Sequence, residues 1–143
     1  MPNYNLAILK KPYLDKIING QKKIEMRLTK SKIHGFGRVF AGDKIFLKQS
    51  SGPVYAIATA EKVENYENLT PKNILKIKRL YNDKILGQNE HWQSKMDSKF
   101  GFLVWLKDIK TINPVKISKK DWRAWVVLSE KQNYGLFKLL HMA

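Results

Sequence analysis

The ten residues "VYAIATAEKV" (54–63) alternate Tyr55, Ile57 and Thr59 with Ala56, Ala58 and Ala60. Alternation with period two is the pattern of a β-strand whose two faces meet different surroundings. A face built of alanines leaves little room above it, so it must lie close under a helix or the opposite wall of a barrel. A second alternating stretch, "KIEMRL" (23–28), puts Ile24, Met26 and Leu28 on one face and Lys23, Glu25 and Arg27 on the other. "NLAILK" (5–10) reads as a first strand and "DKIFLKQ" (43–49) as a short one, closed by a turn over Ser50, Ser51, Gly52 and Pro53. "GFLVWLKDI" (101–109) and "WRAWVVL" (122–128) read as the last core strands.

Between these strands lie helices of unequal length. "PYLDKIING" (12–20) makes about two turns, with Pro12 suited to the N-terminus and Gly20 closing it. The clearest helix follows Thr70, its cap; Pro71 occupies the first turn and Gly87 stops it. Ile74, Ile77, Leu80 and Tyr81 are its expected buried stripe, and Lys72, Lys76 and Arg79 an exposed basic one. A shorter helix is expected over 89–98, and the tail "YGLFKLLHMA" (134–143) reads as a small closing helix. Helices at irregular intervals leave little room for repeated βαβ crossovers. The expected class is α+β: a small, mostly antiparallel barrel with two or three flanking helices over its openings. With 143 residues and 43% hydrophobic content, the chain is expected to form a single domain with a real core.

The formal net charge of +15 is the strongest bulk fact. A domain this basic usually meets a polyanion, and nucleic acid is the commonest one; a solvated lysine-rich surface is the bland alternative. There is no cysteine, so disulfides and thiolate chemistry are excluded and an intracellular, cytoplasmic site is expected. No apolar run is long enough to span a bilayer, and "MPNYNLAILKKPY" lacks the layout of a signal peptide. His34, His91 and His141 are too far apart to form a close-spaced metal motif, and "GFG" is too short for a phosphate-cradling loop. No metal, cofactor or membrane partner is therefore expected, and the chain is read as a monomer.

"KPYLDKIINGQKKIEMR" resembles the opening signature of the ASCH domain family, within the wider PUA-like superfamily. That signature is a strand, a Lys/Gln-Pro-aromatic step, a short helix and Gly-x-Lys-x-x-Glu-x-Arg. Here the step falls on Lys11, Pro12 and Tyr13, and the last part on Gly20, Lys22, Glu25 and Arg27. The resemblance covers about residues 5–128, with 129–143 as a C-terminal extension. It implies a PUA-like β-barrel with a cleft bordered by the motif strand and the first helix. It also implies RNA or nucleotide binding, since relatives bind RNA and some read single modified bases. Some bacterial members resemble amidohydrolases acting on N4-acetylated cytidine, and nuclease activity also occurs in the family.

The physics of the motif fits recognition. Glu25 and Arg27, two apart on a strand, emerge from one face and Lys23 joins them. An acceptor beside fixed donors can hold a base edge while the arginine holds a phosphate or stacks on a ring. Lys22 is out of phase with Glu25 and is expected in the turn before the strand, reaching over the cleft. The bland reading is a solvated charged face with ion pairs worth about 0–1 kcal/mol each. For catalysis, Lys22 as nucleophile or base, with Glu25, would need a much lowered lysine pKa. By the resemblance, the deacylating members carry a hydroxyl residue where this chain has Glu25. They also use a later glutamate, for which Glu64, Glu67 and Glu90 offer no matching motif. Binding to RNA, another single-stranded nucleic acid or a modified nucleoside leads. An amidohydrolase or nuclease in the same cleft is the alternative, and a module for an acidic protein partner is a third reading.

Further candidates surround this motif. The loop "TKSKIHGFGRVFAG" (29–42) sets Lys30, Lys32 and Arg38 about Phe36, as a backbone clamp and stacking lid or as a plain surface loop. Trp105 and Trp125 read as core, Trp122 as a residue of the cleft rim. Trp92, in a polar run, is the candidate base-stacking platform. Ser50 is a candidate donor into the cleft. The expected ligand-binding set is thus Lys11, Tyr13, Lys22, Lys23, Glu25, Arg27, Lys30, Arg38, Ser50 and Trp92.

Overall fold

The structure, a computed structural model, describes residues 2–141; Met142 and Ala143 of the expected tail helix, and the side chain of His141, lie outside the described residues. In chain order the elements are β1 (Tyr4–Leu9), α1 (Lys11–Ile18), β2 (Ile24–Thr29), β3 (Lys44–Gln49) and β4 (Val54–Tyr66). They continue with α2 (Pro71–Ile85), α3 (Asn89–Ser94), β5 (Phe100–Val115), β6 (Trp125–Val127) and a 3-10 turn, Leu136–His141. One six-stranded sheet results, ordered β2-β5-β4-β3-β1-β6. Every pairing is antiparallel except β1 with β3. The class is α+β and the sheet mostly antiparallel, as the element spacing predicts.

β4 and β5 run beyond the stretches read as strands and form the spine of the sheet. Their register shifts three times, between Val54/Ala56, Ile57/Thr59 and Ala60/Lys62. Each irregularity sharpens the right-handed twist, so a long ribbon can curl where a regular one would stay open. The curl brings opposite edges together. Arg27 on edge strand β2 donates through Nη2 to the Ile8 carbonyl of β1 (3.0 Å) and through Nη1 to the Ala124 carbonyl just before β6 (3.3 Å). Phe102 of β5 meets Trp125 of β6 edge to face at 5.2 Å. Side chains, not a sixth ladder, finish this half-barrel.

The alanine face lies where its size demands. Ala56, Ala58 and Ala60 are fully buried inside the curl, in one cluster with Leu14 and Ile17 of α1. The helix can approach because no larger side chain stands between it and β4. On the outside, Ile24, Met26 and Leu28 pack with Leu103 against Ile74, Ile77 and Ile85 of α2. Leu80 corrects the expected stripe: it is 51% exposed, and Ile85 takes its place. At 3.6 residues per turn Leu80 sits about 120° around the helix from Ile74, beyond the contact stripe. Leu136 caps a third cluster with Leu6, Phe46 and Val126.

α2 starts as its sequence requires, with Thr70 and Asn73 forming a reciprocal capping box. It ends on Leu86 in the left-handed conformation (φ 60°), one residue before the glycine expected to stop it. Gly87 serves packing instead: a Cβ there would lie 2.8 Å from Trp92 Nε1. That indole N–H and the Gly87 N–H both donate to Asn82 Oδ1, at 3.0 and 2.8 Å. Trp92 is therefore fully buried beneath α2. No base can stack on it, which corrects its reading as a platform.

Candidate functional site: a cationic cleft at the mouth of the half-barrel

The motif chain enters the site through a tight connection. Gly20 adopts φ +85° after α1, and the Lys22 N–H returns to the Lys16 carbonyl at 2.9 Å. The Lys23 N–H then donates to the Lys84 carbonyl at the end of α2 (2.9 Å), and β2 begins at Ile24. Lys22, one residue ahead of the strand, turns its side chain inward, while Lys23 stays exposed and outside the cleft. Lys23 is thus corrected as a partner of Glu25; the turn reverses which lysine faces the barrel interior.

Lys22 is only 3% exposed. Its Nζ donates to the Ile24 carbonyl (2.7 Å) and to the Ile85 carbonyl, and stands 3.4 Å from Glu25 Oε1. The other carboxylate oxygen, Oε2, accepts from Arg27 Nη2 at 2.7 Å. The result is a buried Lys22–Glu25–Arg27 chain of alternating charge. Burial alone would raise the Glu25 pKa, but the charges and hydrogen bonds of Arg27 and Lys22 outweigh it and hold the carboxyl below its usual value. Burial lowers the Lys22 pKa, opposed by Glu25. Two carbonyls and a carboxylate surround the ammonium, so this lysine is enclosed as a charge rather than presented as a free amine. Arg27 lies 5.4 Å from the Trp125 ring centroid, and its Nε is buried without a partner.

Around this chain opens a cleft of about 1000 Å³. One bank is α1, with Lys10, Tyr13 and Lys16; the other combines the loop after β2, α3 and residues 122–125 before and in β6. Tyr13 is set by the site itself, its ring 5.4 Å from Lys22 Nζ and 6.0 Å from the His91 ring. The lining holds seven basic side chains (Lys10, Lys16, Lys22, Arg27, Lys32, Lys95, Arg123) against two acidic ones, Glu25 and Glu90, so it favours an anionic ligand.

Two histidines line the cleft that the sequence offered only as non-metal residues. His34 accepts the Val127 backbone N–H on Nδ1 (3.1 Å), which leaves Nε2 to carry the proton in the neutral ring. Burial lowers its pKa, helped by Arg38 and Arg123. Burial likewise lowers His91, helped by Lys95. The signal for the α3 bank was available in the helical period. His91, Ser94 and Lys95 fall at i, i+3 and i+4, one face, and all three line the cleft; Trp92 lies on the other. Trp122 lines the cleft at the rim and is 100% exposed.

Of the expected ligand-binding set, Tyr13, Lys22, Glu25 and Arg27 come together here. The others do not. Lys11 projects into solvent and pairs with Asp15 at 2.7 Å, because the helix turns it away from the Tyr13 face. Lys30 is exposed and pairs with Asp97 (2.9 Å). Arg38 is exposed outside the lining. Ser50 is exposed in the β3–β4 turn, where its backbone N–H, not its hydroxyl, is engaged by the Leu9 carbonyl (2.7 Å). Phe36, the loop aromatic, is tucked against the core, edge to face with Phe100 at 5.7 Å. Among the described residues no group of three or more His, Cys, Asp or Glu side chains is placed to hold a metal ion, and no helix is long and apolar enough to cross a membrane.

No family profile and no curated protein matches this sequence. Solved structures do match the fold. ASCH from Zymomonas mobilis superposes with a TM-score of 0.73 at 13% identity, over 96% of this chain and 95% of that one. A tyrosine-to-phenylalanine variant of the same protein gives a TM-score of 0.74 at 12% identity over 98% of both chains. The N-terminal domain of McrB from Staphylothermus marinus is more distant, with a TM-score of 0.56 at 16% identity, over 99% of this chain and 94% of that one. The chain has the ASCH fold over nearly its whole length.

Proposed function

We propose that this chain is an ASCH domain that binds RNA or another single-stranded nucleic acid, or a nucleotide-like fragment of one, in the cationic cleft. The observation that carries the reading is the buried Lys22–Glu25–Arg27 chain at the floor of a cleft whose rim is basic. Glu25 is the acceptor for a base edge or ribose hydroxyl: each of its oxygens has one partner here and a carboxylate oxygen can take two. Arg27 holds Glu25 in place and offers its guanidinium plane. Lys22 fixes the charge of Glu25 and makes no phosphate contact, since it is buried and held by two carbonyls and the carboxylate. Phosphates fall to the rim cations Lys10, Lys16, Lys32, Lys95 and Arg123.

Hydrolysis of an acylated nucleoside or of RNA in the same cleft has one observation in its favour, the lowered Lys22 pKa. The three acceptors around Nζ weigh against it, because an enclosed ammonium has no lone pair to attack or to take a proton. The test is binding of short single-stranded RNA at rising salt. Log affinity is expected to fall with log salt by about 0.7 per phosphate contacted. Glu25→Gln is expected to alter the preference among bases while leaving that slope in place. Absent or salt-insensitive binding would overturn the proposal; turnover abolished by Lys22→Met in a folded variant would replace it with the enzyme reading.

A further inference from the structure

The four tryptophans have three different surroundings. Trp92 and Trp125 are buried, at 0% and 1% exposure, and Trp105 is half-buried, edge to face with Tyr81 at 5.3 Å. Trp122 alone is fully exposed. A large aromatic in water is ordinary when its segment is free to move, but this one is fixed on both sides. Before it, Asp121 accepts from Tyr134 Oη (2.7 Å), Lys119 Nζ (2.9 Å) and the Arg123 N–H (3.1 Å). After it, the Ala124 carbonyl accepts from the Ile8 N–H (2.9 Å) and from Arg27 Nη1 (3.3 Å). The fold thus holds an indole out at the mouth of a cationic cleft without covering either of its faces. It stands two residues from the carbonyl that binds Arg27, and two residues of extended chain reach at most about 7 Å.

From this we infer that Trp122 is a stacking platform for a base of single-stranded nucleic acid whose neighbouring nucleotide occupies the cleft over Glu25 and Arg27. The inference rests on the reading of the cleft as a nucleic-acid site and adds a second base position to it. Every base has a π-face, so a bare indole accepts any of them, and the adjacent Arg123 supplies a cation for the phosphate between the two units. The volume agrees: about 1000 Å³ lies at the upper end for one small ligand, and leaves room for the start of a strand. The Asp121 cluster acts as a positioning group, holding the loop so that stacking does not have to order it first.

The test uses the four homopolymeric hexanucleotides, in ribo and deoxyribo form, and the matching mononucleotides, against the wild type, Trp122→Ala and Trp122→Phe. Because Trp122 packs against nothing, both variants are expected to melt with the wild type. Trp122→Ala is expected to weaken the best hexanucleotide by about 10-fold or more, and Trp122→Phe by far less. The mononucleotide, held by the cleft alone, is expected to change by no more than about twofold. Iodide-quenchable tryptophan emission is expected to disappear when the hexanucleotide binds the wild type. If Trp122→Ala binds hexanucleotides as the wild type does while Arg27→Ala weakens them, the stacking site is wrong and the cleft reading stands. If the wild type binds neither strands nor mononucleotides, both are wrong. If Trp122→Ala instead turns a dimer into a monomer without changing affinity, the indole is a contact between copies and the proposal fails.

Discussion

Two clusters in this molecule have nearly the same composition. Lys22, Glu25 and Arg27 set a carboxylate between a lysine and an arginine; Lys119, Asp121 and Arg123 do the same on the loop before β6. The carboxylate in each is held below its ordinary pKa. For Glu25, burial pulls upward and Arg27 and Lys22 overcome it; for Asp121, partial burial pulls upward and the donors Tyr134, Lys119 and Arg123 overcome it. They differ in water. The Glu25 side chain is 10% exposed and the Asp121 side chain 34%. Inside the barrel the charges cannot fall back on solvent, so each depends on the others. At the rim Asp121 and Arg123, 34% and 40% exposed, can fall back on it, and only Lys119, at 7%, leans on its partners. The buried cluster is therefore fixed by its own members, and the rim cluster is a fastening for the residue it carries.

This contrast is open to direct attack. The largest effect is expected from Glu25→Ala, which leaves Lys22 and Arg27 buried without a counter-charge and should cost about 3–5 kcal/mol in urea denaturation. Lys22→Met keeps the aliphatic stem but strips the Ile24 and Ile85 carbonyls of their donor, for an expected loss of about 2–3 kcal/mol. Combining it with Glu25→Leu should recover part of the sum, because the penalty belongs to the unpaired charge; strict additivity would show that the two residues do not act as a unit.

Gly35→Ala should rank next. A Cβ there would stand 2.5 Å from Trp125 Cδ1 and 3.0 Å from the Phe102 ring, so the loop bearing His34 must shift off β6. A thermal melt should register about 1–3 kcal/mol. Acid separates the regions as well. His34 and His91 have lowered folded pKa values, so the unfolded chain takes up protons first as pH falls below 6.5, and stability declines from there down to the folded values. Glu25 adds a second loss at lower pH: its contribution is complete above 4.5 and disappears as pH falls through its depressed folded value. A stability profile flat between pH 7 and 5 would remove the histidines from the account. Asp121→Ala should matter least for global stability, about 1 kcal/mol or below, while amide exchange over residues 119–124 rises. A loss matching that of Glu25→Ala would erase the distinction between the clusters.

Local pattern was enough for much of the architecture. The alanine face of β4, the capped start of α2 and the apolar face of β2 all depend on residues near one another in the chain, and all three are found where periodicity puts them. The motif also placed Tyr13, Lys22, Glu25 and Arg27 in a common neighbourhood, and the structure brings these four to one cleft. The expected site residues that fall outside it do so for different local reasons. Lys11, from the motif step, is turned outward by the phase of α1. Lys23, in phase with Glu25 by strand alternation, is turned outward by the tight connection before β2, and Lys30, on the loop, pairs with Asp97 in solvent. The polar neighbours of Trp92 in sequence point to an exposed indole, whereas its burial is set by Asn82 and the apolar face of α2, which lie before that run. His34, His91 and Trp122 reach the cleft from three separate segments, and no window of sequence contains them together.

The sequence by itself determined a basic, cysteine-free α+β chain, a strand thin enough for a helix to settle on, and one charged motif beside that helix. Each of these follows from residue type and short-range period, which are properties of a segment. Tertiary structure decided which lysine faces inward and which tryptophan is left in water. It also decided that the open edge of β2 meets β1 and the start of β6 through Arg27. Those outcomes depend on how far a bulged sheet curls before its edges touch, and that is settled by contacts between residues nearly a hundred positions apart.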